Sequence, residues 1–313
     1  MLSLQIDYKT AIHLLNQLQT NAQNIQQAIE KEKSSNASKS LEKTTYFLSL
    51  IGIEPEDLNR LNVVHVAGTK GKGSTCAFVE SILRHQGLKT GFYSSPHLVM
   101  ARERVRINGA PISEQMFAEY FGQVYRQILE NKSPEVFMPP YFNFMTCMAM
   151  RIFLEEKVDV AILEVGIGGE YDCTNVVPKP VVTGVTSLDL DHCKLLGDTI
   201  EQIAWQKSGI FKAGVPAFTV RQNEKAFPVL QQRAKEKNAP LYVAPAWSLY
   251  PNAMATKLGI NGNYCLRSLS PNDNVTHSDR RSAENQRLFG GSIGPLLAVQ
   301  ASPIVPFDVN SGH

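Results

Sequence analysis

In the first fifty positions apolar residues recur at three- and four-residue steps. Ile12, Leu15, Leu18, Ala22, Ile25 and Ile29 line one side of an otherwise polar rod, the pattern of an amphipathic helix. The Ser/Asn-rich stretch 34–38 interrupts the pattern. A second amphipathic helix is expected through Leu41 and Phe47 to Leu50, stopped by Gly52, with Pro55 barring its resumption. From Val63 onward β-rich runs alternate with helical ones. Strands are expected over 63–66, 90–94, 158–165, 181–186, 215–220 and 241–244, and helices over 74–85, 113–130, 141–155, 199–207 and 224–238. The strands are apolar on both faces. Strand and helix taking turns then implies α/β architecture, a doubly wound, mostly parallel sheet covered by helices. The domain is expected to span 1–246. Over 247–313 the periodicity dissolves, and an irregular tail is expected there.

Composition narrows the class. At 43% hydrophobic and 19% charged, the 313 residues can bury a sizeable core. The net charge of +2, from 31 basic and 29 acidic residues, leaves no electrostatic footprint for nucleic acid. No run has the roughly 18–20 apolar residues of a membrane span, and the first residues predict neither a secretory nor a transit leader. Five widely spaced cysteines without Cys-x-x-Cys read as buried or incidental thiols in a reducing compartment. A soluble intracellular protein is the expectation.

The first chemical signal follows the strand at 63–66. Ala67-Gly68-Thr69-Lys70-Gly71-Lys72-Gly73-Ser74-Thr75 is a glycine-rich loop that opens a helix. Glycines let backbone N–H groups turn inward on an anion, and the helix N-terminus adds unsatisfied donors and its positive dipole end. Lys72 is the candidate for neutralising the β/γ-phosphates, and Ser74 or Thr75 can bring a hydroxyl near Mg²⁺. The strict G-x-x-x-x-G-K-[ST] pattern is missed, because Gly73 separates Lys72 from Ser74, yet strand and helix flank the loop as a phosphate site requires. Gly166-Ile167-Gly168-Gly169 fails as a dinucleotide motif, since Tyr171 holds the last glycine position.

Candidate ligands fall at the carboxyl ends of strands, where open α/β sheets collect their sites. Glu164 closes an apolar run and would be costly to bury without a cation. Asp189, Asp191 and His192 follow another strand, and Ser94 and Ser95 end a third. Spacing alone leaves His192 between ligand and capping residue, and gives Lys207, late in a helix, the role of dipole compensation.

Together these segments resemble the folylpolyglutamate synthases of the Mur ligase superfamily. The runs that carry the resemblance are His65–Thr75, Tyr93-Ser94-Ser95-Pro96-His97-Leu98, Arg102–Gly109, Met138-Pro139-Pro140-Tyr141-Phe142, Leu163–Asn175, Asp191-His192 and Ile203–Phe211. The resemblance implies ATP phosphates on Gly71, Lys72, Gly73 and Ser74. It also implies Mg²⁺ on Ser95, Glu164 and His192, with Ser94 chemically equal to Ser95. Lys207, by the same resemblance, is carbamylated and helps hold a second Mg²⁺, and with Lys72 it serves catalysis. The implied reaction is ATP-dependent addition of L-glutamate to a reduced folate through an acyl phosphate. The resemblance further implies a monomer, acting in the cytoplasm or, as some of the family do, in mitochondria.

The resemblance stops near residue 245. Leu258-Gly259-Ile260-Asn261-Gly262-Asn263-Tyr264 looks like the entrance to the family's linker, but Cys265-Leu266-Arg267 follows where a glutamine is expected, and no Asp-Gly-Ala-His segment occurs. The expectation is a chain in which an unrelated tail replaces the second α/β domain. Such a chain would keep Mg-nucleotide affinity with little or no ligase activity. A non-catalytic nucleotide- or folate-binding fragment and a dihydrofolate synthase are the alternatives.

Overall fold

In the computed structural model, residues 6–31 and 39–244 are described; the expected tail over 247–313, the break at 34–38 and Cys265 lie outside them. Among the described residues eight strands form one sheet: β1 (Val64–Ala67), β2 (Thr90–Tyr93), β3 (Val105–Ile107), β4 (Ala110–Pro111), β5 (Val160–Glu164), β6 (Val182–Val185), β7 (Ala217–Thr219) and β8 (Leu241–Val243). Their spatial order is β4-β3-β2-β5-β1-β6-β7-β8. Every pairing from β2 through β8 is parallel, and the β2–β3 and β3–β4 pairings are antiparallel. The sheet is therefore mostly parallel with an antiparallel hairpin at one edge.

Eight α-helices accompany the strands among the described residues. They are α1 (Tyr8–Lys31), α2 (Lys39–Leu50), α3 (Lys72–His85), α4 (Glu114–Asn131), α5 (Tyr141–Glu155), α6 (Cys193–Leu196), α7 (Ile200–Lys207) and α8 (Ala226–Glu236). The two-residue period of a strand assigns their packing. Val64, Val66, Val160 and Ile162 point to one face, where Cys76, Val79 and Leu83 of α3 cover them. On the other face Ala161 and Leu163 meet the core of α1, α2, α4 and α5, while Ala67, Val185 and Ala217 meet α7 and α8. Tyr141-Phe142-Asn143-Phe144 begins α5 as a packing segment: Phe144 is fully buried and Phe142 stacks on Tyr93.

The chain leaves β1 toward β2 on one side and later adds β6, β7 and β8 on the other. A crevice at the carboxyl end of β1 follows from that reversal, the position where doubly wound sheets bind ligands.

Candidate nucleotide site

The glycine-rich loop sits in that crevice. Gly71 caps α3 in a left-handed conformation, φ 87°, so the helix starts at Lys72, two residues earlier than its composition suggests. Thr69 and Lys70 donate their amides to the Ser187 carbonyl at 3.0 and 3.2 Å, which ties the loop to the segment after β6. Thr69 Oγ1 donates to the Asp189 carbonyl at 3.0 Å, and the Lys70 ammonium meets the Asp189 carboxylate at 2.6 Å. Gly68, φ 148°, has no room for a side chain: a Cβ would stand 1.8 Å from Thr186 Oγ1.

Glu164 ends β5 in the same parity as Val160 and Ile162, so its carboxylate is carried to the α3 face, toward the start of the helix. It is 6% exposed and accepts the Ser95 amide at 3.2 Å. Burial pushes its pKa up, against the opposing pull of the Ser95 and Gly73 amides and of the Lys72 and Arg104 charges. Gly73 leaves the space in front of it clear, since a Cβ there would lie 3.4 Å from both carboxylate oxygens. A buried pair of hard oxygens facing open space beside a helix N-terminus fits a small divalent cation shared with phosphate.

Lys207, the last residue of α7, is 2% exposed, and its Nζ donates to the Gly68 carbonyl at 2.8 Å. Burial, with the nearby Lys72 charge, lowers its pKa to about 8. Its place is thus on the phosphate loop; the bond to Gly68 corrects the dipole-compensation expectation drawn from spacing. Asp172 organises the loop beneath: its carboxylate accepts the amides of Gly166, Ile167 and Thr174, and the Thr174 hydroxyl in turn contacts His65 Nε2 at 2.8 Å. Gly169 passes so close to α7 that a Cβ would lie 2.7 Å from the Gln206 carbonyl and 2.8 Å from that of Lys207.

The expected residues therefore fall into three contacts. Ser95, Glu164 and Gly73 share one, Lys207 and Gly68 a second. His192, φ 51°, is brought to Asp191, with Nε2 3.7 Å from the carboxylate. Among the described residues no three His, Cys, Asp or Glu side chains form a metal-holding group by themselves. Cys76, Cys147 and Cys173 are buried free thiols, and Cys193 is half-buried.

Arg104 was given no role by the motif reading. Its Nε donates to His97 Nδ1 at 2.9 Å, and its guanidinium lies 5.1 Å from the Tyr141 ring centre. Burial, followed by the Arg104 charge, holds the His97 pKa below its usual value, and the same guanidinium acts on the Glu164 carboxylate.

A glycine-rich loop after the central strand, a buried carboxylate on the neighbouring strand and a lysine returning from a later helix define an α/β domain of the Mur ligase type. Comparison with known proteins refines that class. No family model matches the chain. It is 54% identical over 261 residues to the mitochondrial folylpolyglutamate synthases of Cricetulus griseus and Homo sapiens, a match covering 83% of this chain and 44% of each relative. A solved FPGS-AMPPCP-folate complex superposes with a TM-score of 0.63 at 28% identity, covering 77% of this chain and 56% of that one. The chain is a homologue of the eukaryotic folylpolyglutamate synthases, and it spans less than half the length of the two animal relatives.

Proposed function

We propose that this chain carries the ATP-binding part of a tetrahydrofolate:L-glutamate ligase, which lengthens a reduced folate by one γ-linked glutamate with release of ADP and phosphate. The observation that carries the reading is the buried Glu164 carboxylate facing the open side of Gly73 at the start of the phosphate-loop helix. The folate's terminal carboxylate is a poor electrophile, so the γ-phosphoryl group of ATP is first transferred to it with release of ADP, and the glutamate amine then attacks the acyl phosphate and displaces phosphate. The loop amides and the N-terminus of α3 bind the phosphates through Gly71, Lys72, Gly73 and Ser74, and Lys72 neutralises the charge that moves. Arg104 adds positive charge on the Glu164 side of the crevice.

Glu164, Ser95 and His192 are the residues that would hold Mg²⁺, which when bound shares the phosphate charge. Carbamylation of Lys207 belongs to the reading as well. With a pKa of about 8, about a tenth of its amine is uncharged at pH 7, far more than for an ordinary lysine, and that form adds carbon dioxide with loss of a proton to give a carbamate. The reading takes residues 1–246 as the domain and the chain as a monomer. Its compartment is the cytoplasm, or mitochondria as in the names of the animal relatives.

The test is mass spectrometry of tetrahydrofolate incubated with the chain, Mg-ATP and glutamate, with ADP release followed in the same tube. Stabilisation by Mg-ADP together with a glutamate-extended folate supports the full reading. Stabilisation without extension restricts the chain to nucleotide binding, the outcome favoured by the missing linker glutamine. No stabilisation refutes both.

A further inference from the structure

Around Lys207 lies a group of charged and aromatic side chains that the phosphate chemistry does not use. Arg233 of α8 is buried. Its guanidinium stacks 4.4 Å from the Trp205 ring centre, ion-pairs with Glu170, and meets Glu236 at 3.0 Å; Lys237 Nζ also reaches the Glu170 carboxylate, at 3.3 Å. Trp205 lies on α7 two residues before Lys207, and the Tyr171 ring stands 6.3 Å from it. A buried guanidinium between a ring and a carboxylate is held on two sides, and α8 thereby grips both α7 and the loop after β5.

The main chain of Glu170 shows what is gripped. Its amide donates to the Gln206 carbonyl at 2.7 Å, immediately before Lys207. On the other side of Lys207, a Cβ on Gly209 would stand 2.3 Å from Glu170 Cα. Glu170 is therefore wedged against the backbone on both sides of the lysine whose Nζ reaches Gly68.

We propose that Arg233 and Glu170 are positioning residues that act through Lys207 on the phosphate loop: α8 fixes the Glu170 side chain, the Glu170 backbone fixes the end of α7, and Lys207 fixes Gly68. The affinity arm of the test rests on the nucleotide reading above, whereas the exchange arm does not.

Amide hydrogen exchange of the nucleotide-free chain is compared for wild type, Arg233→Met, Arg233→Lys and Glu170→Gln/Arg233→Met. Arg233→Met should speed exchange of the Glu170 amide and of residues 68–71 at least roughly tenfold, leaving α4 and α5 unchanged. Arg233→Lys keeps the charge and loses the flat stacking, and should fall between. The double variant should match Arg233→Met, because the two residues form one unit. Unchanged exchange at 68–71, a uniform rise that includes α4 and α5, or an additive double variant overturns the proposal. If Arg233→Met does not fold, Glu170→Gln and Arg233→Lys decide by the same criterion. Mg-ADP affinity should drop in parallel by roughly tenfold, the low end for removing the outer partner of a binding group. A wild-type chain that binds no nucleotide refutes the nucleotide reading, and the exchange data still decide the clamp.

Discussion

Gly73→Ala separates binding from stability because the two are expected to move in opposite directions. Gly73 is the second residue of α3, its φ is not in the left-handed region, and a Cβ there would meet its nearest neighbours, the two Glu164 oxygens, at 3.4 Å. Nothing is overpacked. Alanine in place of glycine within a helix gains roughly 0.5–1 kcal/mol, less in a first turn that frays. For a domain of this size 1 kcal/mol corresponds to about 2–4 °C in Tm, so the variant should melt at the wild-type temperature or a degree or two above it. The same methyl stands in the space before Glu164. A Mg²⁺ on that side of the carboxylate needs an oxygen distance of about 2.0–2.1 Å and cannot share that space with a carbon 3.4 Å from both oxygens. Mg-nucleotide affinity should fall at least about tenfold, or about 1.4 kcal/mol. Calorimetric titration with Mg-ADP and a thermal melt of the same preparation measure the two effects. Unchanged affinity with an unchanged or raised Tm would refute the placement of cation and phosphate between Gly73 and Glu164.

Gly68→Ala should act on the fold itself: a Cβ 1.8 Å from Thr186 Oγ1, at φ 148°, forces the loop from β6, with a loss of about 3 kcal/mol read as a lower urea midpoint. Asp172→Asn removes a charged acceptor shared by three amides and a hydroxyl, and should cost about 2–3 kcal/mol in the same assay. Lys207 has a folded pKa of about 8 against an ordinary lysine value of 10.5, so between those limits the unfolded chain binds more protons than the folded one. The penalty of burying its charge is full below pH 8 and is relieved as pH rises, by up to ~3 kcal/mol if the whole interval is traversed. Lys212, held at about 8 by burial, adds in the same direction. The buried thiols Cys76, Cys147 and Cys173, whose pKa values burial raises, act in the opposite direction over the same interval, so the readout is the stability of wild type minus that of Lys207→Met, measured by urea unfolding from pH 7.5 to 9.5; this difference should rise with pH, and a difference that falls would contradict the assignment.

The parts of the site that announced themselves were local. A strand, a glycine-rich loop and a helix lie consecutively, and a carboxylate ending an apolar strand stands out wherever the chain goes afterwards. Period-two alternation even settles which face Glu164 takes, because Val160 and Ile162 share it. Lys207 was misjudged by spacing because its partner, the Gly68 carbonyl, lies 139 residues away. Arg104 escaped because it ends a four-residue 3₁₀ turn, Ala101–Arg104, just before the three-residue β3, and so short a stretch shows no apolar period. The strand limits were overdrawn where apolar residues continue past the ladder: 158–165 was expected and Val160–Glu164 is observed. Helix α3 was begun late because a Lys-Gly pair resembles a turn until Gly71 is seen to cap it.

The physical demand of the chemistry goes beyond what these residues meet. An acyl phosphate survives only where water is excluded, yet the phosphate loop is open: the Lys70 side chain is 73% exposed, and Ser74 and Thr75 face solvent. Leu98 and Val99 after β2, Ile167 after β5 and Leu190 after β6 all follow the carboxyl ends of their strands, and all are exposed. A crevice with a polar floor and apolar residues around its rim suits a surface that another body closes, because the rim gains by burial. Phosphate binding needs the floor alone; glutamate addition needs the rim covered as well. In the proposed reading, nucleotide binding and glutamate addition are therefore separable, and a variant such as Gly73→Ala addresses the first without reference to the second.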